Sequence, residues 1–158
     1  MEYDNTEVRR QDRLLGDDAA CALLRNGEYG VLSLVDGGVP YAVPVNYVWD
    51  GASALYLHCA PEGRKLRCIA RNGNASFCVV GATQVLPEKF TTRYESIVLE
   101  CRATVVGGEE ERRKAVRLIL GKYSPTHAEL GMTYAEKLLR RTVIVRLDVA
   151  KWSGKAKR

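Results

Sequence analysis

Residues 55–67 read LYLHCAPEGRKLR. An alternating apolar run stops at His58, the chain breaks at Pro61 and Gly63, and a helical pattern opens on two adjacent cations, Arg64 and Lys65. Backbone N–H groups in a helix's first turn have no internal partners, and the macrodipole adds partial positive charge there, so the spacing suits a phosphate. Cations at that end oppose the dipole, which a bound counter-anion would compensate. The plainer reading of the same pair is a solvated turn. Two other stretches have matching chemical character. In VPVNYVW (43–49), Pro44 and Asn46 interrupt a strand and free backbone groups that could bond the edge of a planar heterocycle. In YES (94–96), Ser96 offers a hydroxyl to an anion. A flat ring with a phosphate tail needs an apolar wall, edge-on hydrogen bonds and a cation at a helix start, and these stretches contain each of them.

The elements that must hold these groups follow from periodicity and punctuation. Asp17 and Asp18 are N-cap residues for a helix AACALLRN, with Gly27 at its C-cap. YGVLSLV, Gly37-Gly38 and VPYAVPVNYVW form a hairpin signature. Pro40 and Pro44 make the second arm an edge, or break it near Val43–Asn46. Asp50-Gly51 is a second turn and SALYLH a third strand. GRKLRCIARN is a helix with Leu66, Ile69 and Ala70 on one face, and SFCVVG is a fourth strand. Residues 82–93 are expected to form a loop. YESIVLECRATVVG is a long strand with Ile97, Leu99, Cys101, Ala103 and Val105 on one face and Val98, Glu100, Arg102, Thr104 and Val106 on the other. Residues 109–121 form a helix closed by Gly121, residues 126–141 a second one interrupted at Gly131, and TVIVRLDV a sixth strand. Residues 153–158 are left as a loose tail. Short turns force antiparallel pairing, and six antiparallel strands with peripheral helices imply a mainly β fold, a small closed barrel.

Bulk properties narrow the classes. A chain of 158 residues with 46% hydrophobic and 27% charged residues is one globular domain. No apolar run approaches a bilayer span, and MEYDNTEVRRQDR lacks the apolar core of a secretory signal, so a cytoplasmic protein without a membrane partner is expected. Five cysteines, none in a C-x-x-C spacing, with only His58 and His127 beside them, read as reduced thiols and give no metal site. The net charge of +5 comes from scattered segments (RRQDR at 9–13, LLRR at 138–141, KAKR at the end) without interleaved aromatics, so nucleic acid is not the expected partner. RRQDR itself reads as a charged helix start or an interface pair, or else as a substrate clamp.

RRQDR, GEYGVLSLVDGGVPYAVPVNYVWDG, LYLHCAPEGRK and KWSGKAKR together resemble the nitroimidazole-resistance (Nim-type) branch of the pyridoxamine 5'-phosphate oxidase-like, FMN-binding split barrels. The resemblance runs from about residue 9 to 156. It implies a homodimer of six-stranded split β-barrels with flavin (FMN, or FAD) at the dimer interface. It further implies that Pro44, Val45, Asn46 and Tyr47 lie along the isoalloxazine ring through backbone contacts. His58, Cys59 and Ala60 would sit by the ring and ribityl chain. Gly63, Arg64 and Lys65 would meet the phosphate with Ser96 as a second contact, and Trp152 would cover the ring. His58 is implicated in chemistry by the same resemblance, and Cys59 departs from it by standing where the branch usually has glycine. Read from the residues alone, His58 is a structural histidine or a proton donor, Tyr47 is core or ligand, and Trp152 is a barrel plug or a flavin cover. The implied function is a flavin-dependent reductase of small nitroaromatic or other electron-poor compounds. The alternatives are a flavin or haem carrier, or redox sensor, without turnover, and a pyridoxamine 5'-phosphate oxidase. The oxidase is the weaker, since no late cluster of arginines and histidines awaits a second phosphate.

Overall fold

Gly37 and Gly38 adopt φ values of 59° and 88°, the conformation a two-residue hairpin turn requires at both positions. They join β2 (Gly30–Asp36) to β3 (Val39–Val45), with Asp36 opposite Val39 and Gly30 opposite Val45. The structure is a computed structural model and describes residues 1–138 and 141–158. Around this hairpin the chain runs β1 (Glu2–Tyr3), α1 (Asp17–Asn26), β2, β3, β4 (Val48–Trp49), β5 (Ala54–Cys59), α2 (Arg64–Arg71), β6 (Asn74–Leu86), β7 (Thr91–Val105), α3 (Glu109–Tyr123), α4 (Ala128–Leu138) and β8 (Val143–Lys157).

The strands form one sheet in the order β3-β2-β6-β7-β8-β5-β4, with β1 parallel beside β8. It has eight strands where six were expected, because the two-residue β1 and β4 add to six long ones. The two ends of that order, β3 and β4, are separated in the chain only by Asn46 and Tyr47. The sheet therefore rolls until its edges meet at this point, joined by chain continuity rather than by a ladder. The result is a split β-barrel, mainly antiparallel, with peripheral helices.

Burial fixes the register. On β7, Ile97, Leu99, Cys101 and Ala103 face the core, while Val98, Glu100, Arg102 and Thr104 are exposed. The alternation breaks at its end: Val105 is exposed, and Val106 turns inward to a second apolar cluster with Val48, Tyr56, Ala115 and Val116. The chain leaves the barrel there to enter α3, which reverses the expected sides of these two valines. Within the main core, Leu24, Leu32, Leu55, Phe77, Ile97, Leu99 and Leu147 are fully buried.

Several sequence expectations are corrected. Residues 82–93 are not a loop. β6 continues to Leu86, a single turn at Pro87–Lys89 follows, and β7 starts at Thr91, so the two strands make one long hairpin. Residues 153–158 are not a loose tail either, since β8 pairs with β7 as far as Lys157 opposite Tyr94. The register shifts by one residue at Ala150, which moves burial from Val145, Leu147 and Val149 to Trp152 and Gly154. The short apolar alternation of TVIVRLDV hid this continuation. α1 is preceded by Gly16, so Asp17 and Asp18 lie in its first turn, favourable to the dipole but not capping. In α2, Cys68 and Ile69 are buried and Ala70 is exposed. α3 continues past Gly121 to Tyr123. Gly131 does not interrupt α4. A side chain there would lie 2.7 Å from Leu120, so glycine permits close packing of the two helices. The remainder of the expected helix, at 139–140, lies outside the described residues. No helix among the described residues is long and apolar enough to cross a membrane.

Candidate functional site

A two-residue turn closes on a hydrogen-bonded pair, so Val39, Tyr41, Val43 and Val45 bond to β2. Pro40, Ala42 and Pro44 then aim their backbone groups off the sheet edge. The two prolines stand where an N–H would otherwise be left without a partner, which blunts the edge against pairing with another strand. What remains is an acceptor-rich edge whose outward donors are the N–H groups of Ala42 and Asn46. Val43 and Val45 turn their side chains to the core, while Pro44 and Asn46 are exposed.

Two contacts set the connection from β5 to α2 beside this edge. At one end Val48 pairs with Tyr56, two residues before His58. At the other, the Arg64 guanidinium lies 4.4 Å from the centre of the Tyr41 ring and donates to Asp36 at 2.8 Å. His58, Cys59, Ala60, Gly63, Arg64 and Lys65 thus belong to one stretch, tied to the β2–β3 hairpin through Arg64. His58 is exposed at the end of β5, and its side chain has no hydrogen bond or ion pair among the described residues. The Cys59 thiol is pushed up by burial, and Lys65 opposes that shift, which sets the lysine near the sulfur. Gly63 precedes α2 with φ of 145°, a conformation open to glycine, and a side chain at this position would meet open space. The first turn of α2 has no acidic residue and no side-chain cap.

The two cations of that turn have separate duties. Arg64 has its counter-anion inside the protein: Asp36, which Arg71 also meets at 3.0 Å. The hydrogen bond from Arg64 holds the Asp36 carboxyl below the usual range. The Lys65 side chain has no ion pair or hydrogen bond among the described residues. The anion inferred from the sequence is therefore Asp36 for one cation, and remains to be supplied for the other.

Three sequence candidates are placed elsewhere. Tyr47 is fully buried, its ring edge-on to Phe77 at 5.0 Å and its hydroxyl donating to the Leu24 carbonyl at 2.6 Å. Its backbone is engaged as well. The Tyr123 hydroxyl accepts from the Tyr47 N–H at 2.9 Å, and its hydrogen is shared between the carbonyls of Tyr47 (2.8 Å) and Glu28 (2.6 Å). Tyr47 is core, and neither side chain nor backbone is free for a ligand. Trp152 is also core, 3% exposed and 4.7 Å from the Tyr3 ring, because the shift at Ala150 turns it inward. Ser96 pairs with Lys155, whereas His58 pairs with Ile144, eleven residues earlier on β8. One protomer does not bring Ser96 to Lys65.

Sequence reasoning missed Lys122 and Tyr123, since the helix was ended at Gly121; the pair is visible as KY one step further. Lys122 donates to the Gly27 carbonyl at 2.7 Å and lies 3.9 Å from the Tyr47 ring centre. Burial lowers its pKa to about 8. Together the two side chains stitch α3 across the place where the barrel is split. Beside them, between α1, α3 and β4, is a cleft of about 830 Å³ with Arg25, Asn46, Trp49 and Arg117 on its walls.

The family model described as pyridoxamine 5'-phosphate oxidase matches residues 16–156. The chain belongs to this family. Among solved structures similar to this member of the pyridoxamine 5'-phosphate oxidase family is a candidate 5-nitroimidazole antibiotic resistance protein from Bacteroides thetaiotaomicron. It is 22% identical, with 91% of this chain and 86% of that chain covered and a TM-score of 0.78. An FAD-binding protein from Mesorhizobium loti is 22% identical over 92% of this chain and 98% of its own, with a TM-score of 0.65. An FAD and haem binding protein from Mycobacterium smegmatis is 21% identical over 90% and 72%, with a TM-score of 0.70. At these identities the likeness establishes the split-barrel fold. No curated protein matches the chain.

Proposed function

We propose that the chain binds a flavin between the outer edge of β3 and the His58–Lys65 connection, and acts as a flavin-dependent reductase of small nitroaromatic or other electron-poor compounds. One observation carries the reading: a helix start with no acid, no cap and an unpartnered lysine is tied, through Arg64 over the Tyr41 ring, to a strand with an unpaired edge. The donor set fits the group. Pro44 and Asn46 would meet the ring edge, His58, Cys59 and Ala60 the ring and ribityl chain, and Gly63 and Lys65 the phosphate, while Val45 is taken by its pairing with Gly30. Arg64 would contribute only the guanidinium face left by Asp36. That relatives of this fold include an FAD-binding protein and a nitroimidazole-resistance candidate supports the reading.

A bound flavin supplies hydride transfer. The chain's own residues position and protonate. The N–H groups of Ala42 and Asn46 offer hydrogen bonds to developing negative charge, preorganised because the strand is already fixed by β2. His58, exposed at the strand end, delivers a proton to an oxygen of the reduced substrate. Val85, Phe90 and Val98 on the β6–β7 hairpin are exposed apolar residues, and we assign that surface to a second copy of the chain.

The test is spectroscopic. Purified protein is expected to absorb as a flavoprotein, to bleach under an anaerobic reductant and to regain colour when a nitroimidazole is added. Mass measurement of the extracted cofactor separates FMN from FAD. A colourless protein that takes up neither flavin overturns the proposal, and bleaching without recovery overturns the reductase.

A further inference from the structure

The cleft between α1, α3 and β4 holds chemistry that the flavin reading leaves unused. Its volume of about 830 Å³ falls within the usual range of small-molecule pockets, roughly 300–1,000 Å³. We propose that this cleft binds a small aromatic carboxylic acid, with the carboxylate on Arg25 and Arg117 and the ring against Val48, Trp49 and Leu118.

The two arginines are placed but not spent. The Arg25 guanidinium lies 5.3 Å from the centre of the Trp49 ring, and the indole N–H donates to the Ala52 carbonyl at 3.3 Å, which fixes the ring beneath it. Arg117, in the middle of α3, has no ion pair or hydrogen bond from its side chain among the described residues, and Arg25 meets no carboxylate there. Two helices end at this cleft, and the free carbonyls of a helix C-terminus repel an anion. At the end of α1 those carbonyls are already taken. Leu23 accepts from the Gly27 N–H at 2.9 Å, Leu24 from the Tyr47 hydroxyl at 2.6 Å, Gly27 from Lys122 at 2.7 Å and Glu28 from the Tyr123 hydroxyl at 2.6 Å. Lys122 is committed to that bond. Glu28 is the one carboxylate lining the cleft among the described residues, so the two arginines leave a single positive charge in surplus.

These groups select the ligand class. A carboxylate is planar and singly charged, and it matches the fork of a guanidinium with two parallel hydrogen bonds. A tetrahedral dianion needs donors from several directions. The cleft has no serine or threonine on its walls, and the Tyr123 hydroxyl is already shared between Tyr47 and Glu28. Val48, Trp49 and Leu118 give an apolar wall, against which a flat ring packs with little loss of conformational freedom. Asn46 lines this cleft and also ends the strand edge assigned to the flavin. In one respect, then, the inference rests on the flavin reading: the electron-poor substrate of the proposed reductase is an aromatic acid.

The experiment uses the full chain as purified, with cofactor content measured by absorbance. It is titrated by calorimetry with 4-nitrobenzoate and with its neutral counterpart 4-nitrobenzamide. Reoxidation of the anaerobically reduced protein by each compound is then followed separately. Saturable binding of the acid is expected, at least tenfold tighter than that of the amide, with reoxidation faster by a similar factor at low concentration. Arg25→Ala combined with Arg117→Ala should remove the preference with cofactor content unchanged. Arg117→Ala alone, at an exposed helix position, should lower acid affinity at least threefold, and Arg117→Lys should recover part of it, which separates charge from folding. The two readings fail in different ways. A colourless protein that takes up no flavin yet prefers the acid sinks the flavin reading and upholds this site. A flavoprotein that binds acid and amide equally, or whose double variant keeps the preference, overturns the site. Preferential binding of the acid without faster reoxidation overturns its assignment as substrate.

Discussion

The two halves of the cradle inferred from the sequence have opposite fates. At residues 44–47 the fold takes most of the polar groups for itself: Val45 is committed to β2, and Tyr47 has its N–H, carbonyl and hydroxyl all bonded within the protein. At residues 58–65 it leaves them open, with His58 exposed, Gly63 uncapped and Lys65 unpaired among the described residues. A strand interrupted by proline and asparagine and a helix opened by cations look alike as sources of free hydrogen-bonding groups. They differ because the first lies where a barrel must close. There a buried N–H without a partner costs about 1–3 kcal/mol, and Tyr123 is recruited to supply one. The second lies at the surface, where water can serve until a ligand arrives.

Substitutions can break this contrast. Tyr47→Ala should have the largest effect, about 3–5 kcal/mol of stability from a vacated core site, read by chemical denaturation. A well-folded variant of unchanged stability would return Tyr47 to the list of ligand residues. His58→Ala should leave folding and flavin content intact while slowing nitro reduction by about 10²–10⁴-fold, the range of a positioned proton donor. Wild-type turnover in that variant removes the chemical role. Lys65→Ala should weaken flavin retention by about 1.5–3 kcal/mol, as expected for a charged hydrogen bond, without altering apoprotein stability. Tyr123→Phe is the converse. It should lower stability by about 1–3 kcal/mol through the orphaned Tyr47 N–H and leave Lys65-dependent flavin binding in place. Loss of flavin with no loss of stability would reverse the roles assigned to the two halves.

The smallest effect is a pH dependence at Lys122. Burial lowers its pKa to about 8, whereas in the unfolded chain it returns to the ordinary value of 10.5. Between these values the unfolded state binds more protons, so this group makes stability rise with pH through that window. Below about pH 8 the lysine is charged in both states and the full penalty of burying it is present. Lys122→Met should flatten the slope between pH 8 and 10 in denaturation midpoints, and an unchanged slope would assign it to other groups.

The contrast also explains what could be read in advance. The Gly37-Gly38 hairpin, the edge character of β3 and the start of α2 at Arg64 were legible because each is decided within a few residues by backbone conformation or a missing N–H. The loop expected at 82–93 and the tail expected at 153–158 were misread because neither stretch alternates cleanly. The first stretch pairs with itself as the two arms of a hairpin around Pro87–Lys89, and the second is held by β7, a partner distant in sequence. Trp152, open in the sequence as a barrel plug or a flavin cover, is turned to the core for a related reason: a one-residue shift at Ala150 changes the face it occupies, and no local pattern announces a bulge. Asp36 was not recognised as the partner of Arg64 because twenty-eight residues separate them.

By itself, then, the sequence determined the mainly β architecture, the turn at two glycines, the proline-guarded edge and the anion-ready opening of a helix, all consequences of short-range sterics and periodicity. Tertiary structure decided which free groups stayed free. Only the rolled sheet brings Tyr123 to Tyr47 and Asp36 to Arg64, because a hydrogen bond or ion pair depends on distance in space, and distance in space is set by how the whole barrel closes.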